Sequence, residues 1–391
     1  MIPRGVLSLS VLAALSATAC DSETGTTEPT PDHAAVELAI TSAQTITAGE
    51  NHSCAIRPNA TVFCWGRNKE RQLGGGTTGN RSTPVQVVGL TNVVSVAAGR
   101  FHTCAILADG TGRCWGSNSS GQLGNGGAGS SGTPAVVTGL SGALQISVGA
   151  YHSCARLRNG TAKCWGFNQY GMLGNGSTVN SNVPVAVSGL TGVAELGVGW
   201  FHSCAVRTDG TVRCWGRGSS GELGNGGTAN RTAPVAVTGL TGAVDIDGGG
   251  SHTCVRRTDG SVRCWGNNLS GQLGNGSTTN RLVPVAVSGL TGVAVITTGS
   301  AHSCAVLSSG AERCWGGGTL GQLGNGATAS RSTPGPVSGV STGSRIDGGG
   351  NHTCTLLTNG TARCWGYNGS GQLGNGTFTS RSTPDQVVNY P

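Results

Sequence analysis

The chain is poor in charged and in aromatic side chains. Charged residues make up 10% of the 391-residue sequence and aromatic residues 4%. The 24 Lys and Arg residues outnumber the 17 Asp and Glu residues, giving a net charge of +7, but they are spread along the chain and form no basic run. Because nucleic-acid binding needs cations gathered in one run or on one face, we expect a solvated, mildly cationic surface and no nucleic-acid partner.

The first 20 residues lack an apolar stretch long enough to span a membrane. The segment from Val6 to Leu15 is apolar, follows Arg4, and is succeeded by small residues up to Cys20. This pattern predicts a secretory signal over residues 1–20. A cysteine directly after the small residues resembles a bacterial lipobox, in which Cys20 becomes the acylated first residue of the mature protein. The alternative is an ordinary cleavable signal with an incidental cysteine.

Residues 21–37 show none of the apolar periodicity of a packed core. They are polar, acidic and rich in Thr and Pro, which predicts a disordered tether. Together with the signal, this tether predicts a bacterial envelope protein anchored in the membrane through a lipid on Cys20, in the periplasm or at the cell surface. Without acylation the protein is expected to be secreted.

Glycine, in contrast, is abundant, with 70 residues, and the rest of the chain is built from one repeated segment. The stretch HSCAVRTDGTVRCWG at residues 202–216 has seven related copies at a constant spacing of 50 residues. One repeat cannot bury its own apolar surfaces, so a constant period predicts that the copies stack into one body. The repeat histidines are His52, His102, His152, His202, His252, His302 and His352.

Each repeat predicts four short strands joined by glycine-rich turns. In the second copy these strands are Pro84–Val88, Val93–Ala97, His102–Leu107 and Thr111–Gly116. Four antiparallel strands in each of seven repeats are typical of an all-β fold, and we expect a seven-bladed β-propeller over residues 38–391.

The two ends of the propeller sequence are out of phase with blades defined in this way. Residues 40–48 match the second strand of a repeat, whereas the segment from Ser382 to Pro391 matches the first. We therefore expect the C-terminal strand to complete the N-terminal blade, which would close the ring and remove exposed strand edges.

Fourteen of the 15 cysteines belong to the repeat, in pairs ten residues apart. A three-residue hairpin loop that ends on a left-handed Gly110 places Cys104 directly opposite Cys114. Facing Cβ atoms in a strand pair lie near disulfide distance, and an exported chain meets oxidising conditions. Reduced thiols, or a metal site that includes His102, are the alternatives, although the spacing matches no zinc pattern. The predicted disulfides are Cys54–Cys64, Cys104–Cys114, Cys154–Cys164, Cys204–Cys214, Cys254–Cys264, Cys304–Cys314 and Cys354–Cys364.

No Asp column accompanies the repeat histidines to complete a catalytic set, and the cysteines beside them are assigned to disulfides. The histidines are therefore expected to form structural hydrogen bonds, and the repeat tryptophans to pack between blades. Glu195, Asp245 and Asp247 depart from their columns, yet they form no recognisable acid–base set. We expect no catalytic residue, metal or cofactor. An envelope hydrolase or lyase with a site in the channel is the enzymatic alternative.

The repeat resembles the regulator of chromosome condensation repeat. The shared pattern is His-Ser/Thr-Cys, then Asp/Asn-Gly, Cys-Trp-Gly and Gly-Gln-Leu-Gly-Asn-Gly, and it extends over residues 38–391. The resemblance implies a seven-bladed propeller. One eukaryotic branch of this family is a guanine-nucleotide exchange factor that acts through loop insertions, including a β-wedge, so exchange-factor-like activity is an alternative function that the resemblance implies. All repeats here have the same length, which leaves no room for a wedge.

Two columns vary between repeats while most others hardly do, so these two are free of a folding role. One precedes the repeat histidine and the other follows Cys-Trp-Gly, and we expect both on one face of the propeller. Loop aromatics in such columns are typical interface anchors; the alternative is that they cover the channel mouth. We expect a monomeric scaffold that binds an envelope or extracellular protein, or a glycan, through them. The predicted partner-binding residues are Phe101, Tyr151, Phe167, Tyr170, Trp200, Phe201 and Tyr367.

Overall fold

In the described part of the chain, twenty-eight short strands form seven four-stranded antiparallel sheets, the seven blades of a propeller. The computed structural model describes residues 45–390, and this part of the chain contains no helix, hence none that could cross a membrane. The predicted signal, the acylation site at Cys20 and the tether lie outside the described residues.

The strands occupy the same four positions in every blade. The first strands are β1 (Ile46–Ala48), β5 (Val93–Ala98), β9 (Ala143–Val148), β13 (Val193–Val198), β17 (Ala243–Gly248), β21 (Val293–Thr298) and β25 (Gly343–Gly348). The second strands are β2 (His52–Ile56), β6 (His102–Leu107), β10 (His152–Leu157), β14 (His202–Arg207), β18 (His252–Arg257), β22 (His302–Leu307) and β26 (His352–Leu357). The third strands are β3 (Val62–Gly66), β7 (Gly112–Gly116), β11 (Ala162–Gly166), β15 (Val212–Gly216), β19 (Val262–Gly266), β23 (Glu312–Gly316) and β27 (Ala362–Gly366). The fourth strands are β4 (Arg81–Gln86), β8 (Ser131–Val136), β12 (Ser181–Ala186), β16 (Arg231–Ala236), β20 (Arg281–Ala286), β24 (Arg331–Pro336) and β28 (Arg381–Gln386).

The prediction that the C-terminal strand completes the N-terminal blade is wrong. Strand β28 pairs with β27, with Asp385 opposite Cys364, and so completes the last blade. The first blade is complete without it, because β4 pairs with β3 through Val85 and Cys64. The sequence assigned the strand after each GQLGNG loop to the start of a blade. Its hydrogen bonds instead join it to the Cys-Trp strand before it, so it ends a blade.

Side-by-side contacts close the ring between the last blade and the first. The backbone N–H of Ala48 donates to the Asp347 carboxylate at 2.8 Å, and the Tyr390 hydroxyl donates to the carbonyl of Ile56 at 3.1 Å. The Tyr390 ring also packs against Trp65 with centroids 6.5 Å apart. Closure therefore uses the same kind of blade-to-blade packing that joins the other blades.

The hairpin between the second and third strands has the predicted register. Cys104 faces Cys114, and Gly110 in the connecting turn has a φ of 77°, a conformation that favours glycine. All seven predicted cysteine pairs are disulfide-bonded, with S–S distances from 2.05 to 2.13 Å. Each bond links the two central strands of its blade.

The repeat tryptophans pack between blades, as predicted. Trp115 is fully buried in a cluster that includes Val62, Leu73 and Val87 of the preceding blade. Its indole N–H donates to the carbonyl of Gln72 in that blade at 2.9 Å. A buried tryptophan adds a large apolar area to the interface, and its polar atom is satisfied across the same interface. The same indole bond recurs at every blade boundary.

Loops gather at the two ends of the propeller, here called the upper and lower rims. The upper rim holds the loops between first and second strands and between third and fourth strands. In the second blade the N–H of Ser117 joins these two loops by donating to the carbonyl of Phe101 at 2.9 Å. The lower rim holds the hairpin turns and the connectors between blades, joined for example by the bond from the N–H of Val93 to the carbonyl of Ala60.

Candidate functional site

The seven repeat histidines form a buried structural ring. His52 Nε2 lies 2.9 Å from the hydroxyl of Thr103 in the next blade, and that hydroxyl donates its proton to the carbonyl of Gln72. A hydroxyl that donates elsewhere must accept from the imidazole, which places the proton of the neutral ring on Nε2. Burial lowers the pKa of His52 to about 3. The ring histidines therefore serve as neutral hydrogen-bond donors between blades, in agreement with the structural role expected of them.

Five of the predicted partner-binding aromatics form one continuous cluster on the upper rim. Tyr151 is at its centre, with ring centroids 5.5 Å from Phe101, 6.1 Å from Phe167 and 6.2 Å from Phe201. Tyr170 bridges the edge of the cluster, 6.2 Å from Phe167 and 5.8 Å from Phe201. All five rings are half-buried. Edge-to-face and tilted contacts at these distances hold aromatic rings in a defined arrangement.

Three arginines lie against this cluster. They belong to the two variable columns, but the sequence predicted only the aromatics of those columns as binding residues. The Arg100 guanidinium is 4.9 Å from the centroid of Phe101, 5.8 Å from that of Tyr151 and 5.5 Å from that of Trp200. It thereby joins the sixth predicted aromatic, Trp200, to the cluster. Two further arginines cover its flanks. They are Arg67, 5.6 Å from Phe101, and Arg217, 5.2 Å from Phe201. The six aromatics and three arginines are called the aromatic patch below.

Each arginine of the patch forms an ion pair with a glutamate. Arg100 pairs with Glu50 at 2.7 Å, and Arg67 pairs with Glu70 at 2.8 Å. Burial would raise the pKa of Glu70, but the hydrogen bond and the charge of Arg67, together with a hydrogen bond from Gln72, hold that pKa below its usual value.

The third pair is the most buried of the three. Arg217 lies 2.8 Å from Glu222, whose side chain is fully buried. Glutamate stands there in place of the glutamine found at the equivalent position of most other blades. These pairs fix the guanidinium planes beside the rings, so the patch is organised in advance of any binding.

Tyr367, the seventh predicted residue, is not part of the patch. It lies in the last blade, where its side chain is half-buried, and it makes no ring contact with another aromatic among the described residues. Its column places it on the correct rim, but the patch occupies only the first four blades.

The acids that break the repeat pattern line the channel or its lower end and connect neighbouring first strands. Asp247 accepts from the N–H of Thr298 at 2.7 Å, and the Thr297 hydroxyl lies between Asp247 and Asp347. Burial and, secondly, the nearby Asp347 raise the pKa of Asp247 to about 7.

Glu195 and Asp245 lie nearby, and burial raises their pKa values as well. Burial and, secondly, Asp245 raise the pKa of Glu195 to about 8, and Gln145 donates a hydrogen bond to it. Asp245 accepts from the N–H of Ile296 at 3.4 Å, and burial raises its pKa. Within residues 45–390, no group of three His, Cys, Asp or Glu side chains is placed to hold a metal ion.

Comparison with known protein structures shows the same architecture. The yeast Prp20p structure, from Saccharomyces cerevisiae, has a TM-score of 0.74 at 21% identity and covers 87% of this chain and 86% of its own. A human WBSCR16 structure has a TM-score of 0.74 at 24% identity, with 84% and 94% covered. Yeast RCC1 (Prp20) bound to Kap60 has a TM-score of 0.77 at 20% identity, with 97% and 91% covered. At these identities the likeness shows the fold alone. Comparison with curated protein sequences finds no match.

Protein-family models match most of the chain. The model described as RCC1-like domain matches residues 13–247. Models described as the regulator of chromosome condensation repeat match residues 259–306, and residues 243–272 and 344–372. The resemblance seen in the repeat motif is thereby confirmed, and the chain belongs to the RCC1-like domain family.

Proposed function

We propose that this chain is an exported, lipid-anchored scaffold of the bacterial envelope that binds a protein partner through the aromatic patch. The observation that supports this most is the joining of six loop aromatics and three arginines into one surface, in columns that otherwise vary freely between repeats. Aromatic and arginine side chains are the residues most enriched among the energetic anchors of protein interfaces.

The patch offers both apolar surface and unused hydrogen-bond donors. Arg100 donates to Glu50 through Nε alone, so its two Nη groups make no hydrogen bond within the described residues. They lie beside the rings of Phe101 and Tyr151, where water is partly excluded. A carboxylate brought there by a partner would accept two charge-assisted hydrogen bonds. The partner best suited to the patch is a protein segment that presents apolar side chains around one acidic group.

Propellers of this fold provide precedent for protein binding. Yeast Prp20p is described by its binding to Gsp1p and histones, and its structure has also been solved with Kap60 bound. Nucleotide exchange on a GTPase remains the alternative that family membership implies. No residue of the patch favours it, and an exported chain would not meet a cytosolic GTPase.

The enzymatic alternative has less support from the channel. The carboxylates of Asp247 and Asp347 are engaged by backbone N–H groups of the neighbouring blades, at Thr298 and Ala48. Groups used in this way hold first strands together. They are poorly placed to act as an acid–base pair on a substrate.

Export and anchoring are supported by the cysteines and by the first 20 residues. Seven disulfides form readily in an oxidising compartment and rarely persist in the cytosol. The apolar stretch and Cys20 fit a lipoprotein signal. Replacing Cys20 with Ala should make the chain releasable from the membrane fraction by high-salt washing, which the lipid-anchored parent resists. A Cys20→Ala chain that stays with the membrane through high-salt washing would contradict anchoring by a lipid.

Site-specific photo-crosslinking tests the patch directly in the intact envelope. A benzoylphenylalanine at position 170 is expected to capture a discrete protein, because Tyr170 lies at the edge of the patch. The matched control is the same photo-reactive residue at position 378, where Phe378 is 54% exposed in the last blade, outside the patch. Adding Tyr151→Ala to the position-170 chain should abolish the adduct. Identical adducts at both positions, or an adduct removed by glycosidase but not by protease, would overturn a protein-binding patch.

A further inference from the structure

A ring of cations surrounds the lower rim. The residue before the second cysteine of each repeat is basic in six of the seven blades, and the constant period places one such residue in each blade. These cations are Arg113, Lys163, Arg213, Arg263, Arg313 and Arg363. The first blade has Phe63 at this position, and the Arg57 guanidinium lies over its ring at 3.6 Å, so a cation is present there as well.

Hydrogen bonds place three of these side chains at the lower rim, and the other three occupy the same position in their blades. Lys163 Nζ donates to the carbonyl of Gly139 at 3.3 Å, and Arg363 Nη1 donates to that of Gly339 at 3.2 Å, both in connectors between blades. Arg113 Nη1 donates to the Thr111 hydroxyl in the adjacent hairpin turn at 3.2 Å. The strands then carry the chain away from these turns to the upper rim, so the ring and the aromatic patch lie at opposite ends of the propeller.

The lower rim has too few acids to neutralise this ring. None of the six Lys and Arg residues of this ring forms an ion pair within residues 45–390. The connectors between the described blades contain no Asp or Glu. The turn carboxylates Asp209 and Asp259 pair with Arg207 and Arg257 instead, outside the ring. Asp109 is the one turn carboxylate close to a ring cation, Arg113.

We propose that the lower rim binds the anionic phospholipid headgroups of a bilayer. Cations spaced around a circle at one end of a wheel lie near a common plane, and all of them reach a flat anionic surface together. A nucleic-acid duplex is a rod and would contact only part of the circle at once. Each Lys or Arg near an anionic membrane strengthens binding about fivefold, and the effect decays within a Debye length of roughly 8 Å at physiological salt.

This membrane contact does not depend on the aromatic patch or on acylation. It gives the proposed anchoring an orientation, because a propeller lying on its lower rim presents the aromatic patch away from the bilayer.

Vesicle sedimentation with the mature Cys20→Ala chain, freed of the predicted signal and purified with its disulfides formed, tests the proposal without a lipid or an apolar signal on the protein. Vesicles of mixed phosphatidylglycerol and phosphatidylcholine should bind the chain at low ionic strength, and vesicles of phosphatidylcholine alone should not. Combining Arg113→Gln, Arg213→Gln and Arg263→Gln should weaken binding on the order of a hundredfold.

The matched control removes three cations from the opposite rim. Arg81, Arg231 and Arg281 are exposed at the start of fourth strands, and replacing all three with Gln should change vesicle binding less than about threefold. Equal losses from the two triple variants, or unchanged binding of the lower-rim variant, would overturn the proposal. So would stronger binding to duplex DNA than to the vesicles with the same dependence on the lower-rim cations. Thermal unfolding midpoints that match the parent chain would show that both variants are folded.

Discussion

His352 Nε2 lies 2.8 Å from the hydroxyl of Ser53 and joins the last blade to the first. The same imidazole-to-hydroxyl contact, at 2.8 to 2.9 Å, spans each of the other six blade boundaries. The propeller is therefore closed by a repeated interface, and no strand is shared between its two ends. The histidine column, expected from the sequence to form structural hydrogen bonds, is part of the scaffold that holds the upper-rim loops.

If closure uses the same interface as every other boundary, its histidine should matter as much as an internal one. His352→Ala and His202→Ala should each lower the free energy of unfolding by about 3 kcal/mol, since each removes a buried hydrogen bond and leaves a cavity. Urea unfolding at neutral pH measures both values. A loss for His352→Ala much smaller than that for His202→Ala would show that the ring is not closed through this contact.

The histidine ring should make the protein acid-sensitive. Burial lowers the pKa of His202 to about 3 in the folded protein, compared with about 6.5 for an exposed imidazole. Between these values the unfolded chain binds a proton that the folded chain does not, so this contribution to stability falls as pH falls from about 6.5 toward 3.

The variant His202→Gln isolates this effect from that of other titrating groups. It should be less stable than the parent at pH 7, but its stability should fall less steeply with acidification, by about one proton, between pH 6 and 4. Urea unfolding across this range measures the slope. An unchanged slope would mean that His202 takes up a proton within the fold.

Glu312 should destabilise the fold at alkaline pH. Its side chain is buried, and burial raises its pKa to about 7. The Thr355 hydroxyl donates a hydrogen bond to Glu312, which favours the charged carboxylate but does not offset the effect of burial. The folded state thus binds this proton more tightly than the unfolded state, and its contribution is lost as pH rises through about 7.

The neutral variant Glu312→Gln should therefore have little effect on the thermal midpoint at pH 5 and raise it at pH 9. The matched control Glu70→Gln changes a glutamate whose pKa is lowered by its bond to Arg67, and it should give no alkaline gain. Equal midpoints for Glu312→Gln and the parent at pH 9 would contradict an ionisation penalty at this position.

The disulfides should contribute to stability one blade at a time. Each closes a short loop between cysteines ten residues apart, for which the chain-entropy model gives a stabilisation of about 2–3 kcal/mol. Replacing Cys254 and Cys264 together with Ala should lower the free energy of unfolding by this amount. Denaturant unfolding of the oxidised proteins tests the value, and a loss below about 1 kcal/mol would show that the bond adds little beyond the packing around it.

The sequence predicts the architecture well because its signals are local and repeated. The spacing of 50 residues predicts seven blades, and the three-residue turn at Gly110 decides which residues of its hairpin face each other, including the cysteines. The strand at which each blade begins is not predictable from such local signals. The fourth strand of the first blade follows the third after the long loop of residues 67–80 and is joined to the next blade by the short connector of residues 87–92, which favours pairing with the strand that follows. Only hydrogen bonding shows that Val85 faces Cys64.

The sequence predicts the rim on which the aromatic patch lies but not which residues belong to it. The up-and-down direction of successive strands places Tyr151 and Tyr367 on the same rim, yet the column alone does not show which side chains meet across blade boundaries. Arg100 and Trp200 are separated by 100 residues in the chain and are brought together only by the curvature of the ring. Likewise, the lower-rim cations form no run in the sequence, and the repeat alone gathers them on one end.

The most direct test of the binding role of the aromatic patch is a titration that measures the Kd for the protein captured through position 170. The titration compares the parent chain with two purified variants of it. Phe201→Ala should raise the Kd at least about tenfold, as expected for an aromatic anchor at the centre of an interface, while its thermal midpoint stays close to that of the parent. Phe378→Ala, which removes an exposed aromatic outside the patch, should change the Kd by less than about twofold. Equal effects of the two substitutions, or no effect of Phe201→Ala, would contradict the patch as the binding surface.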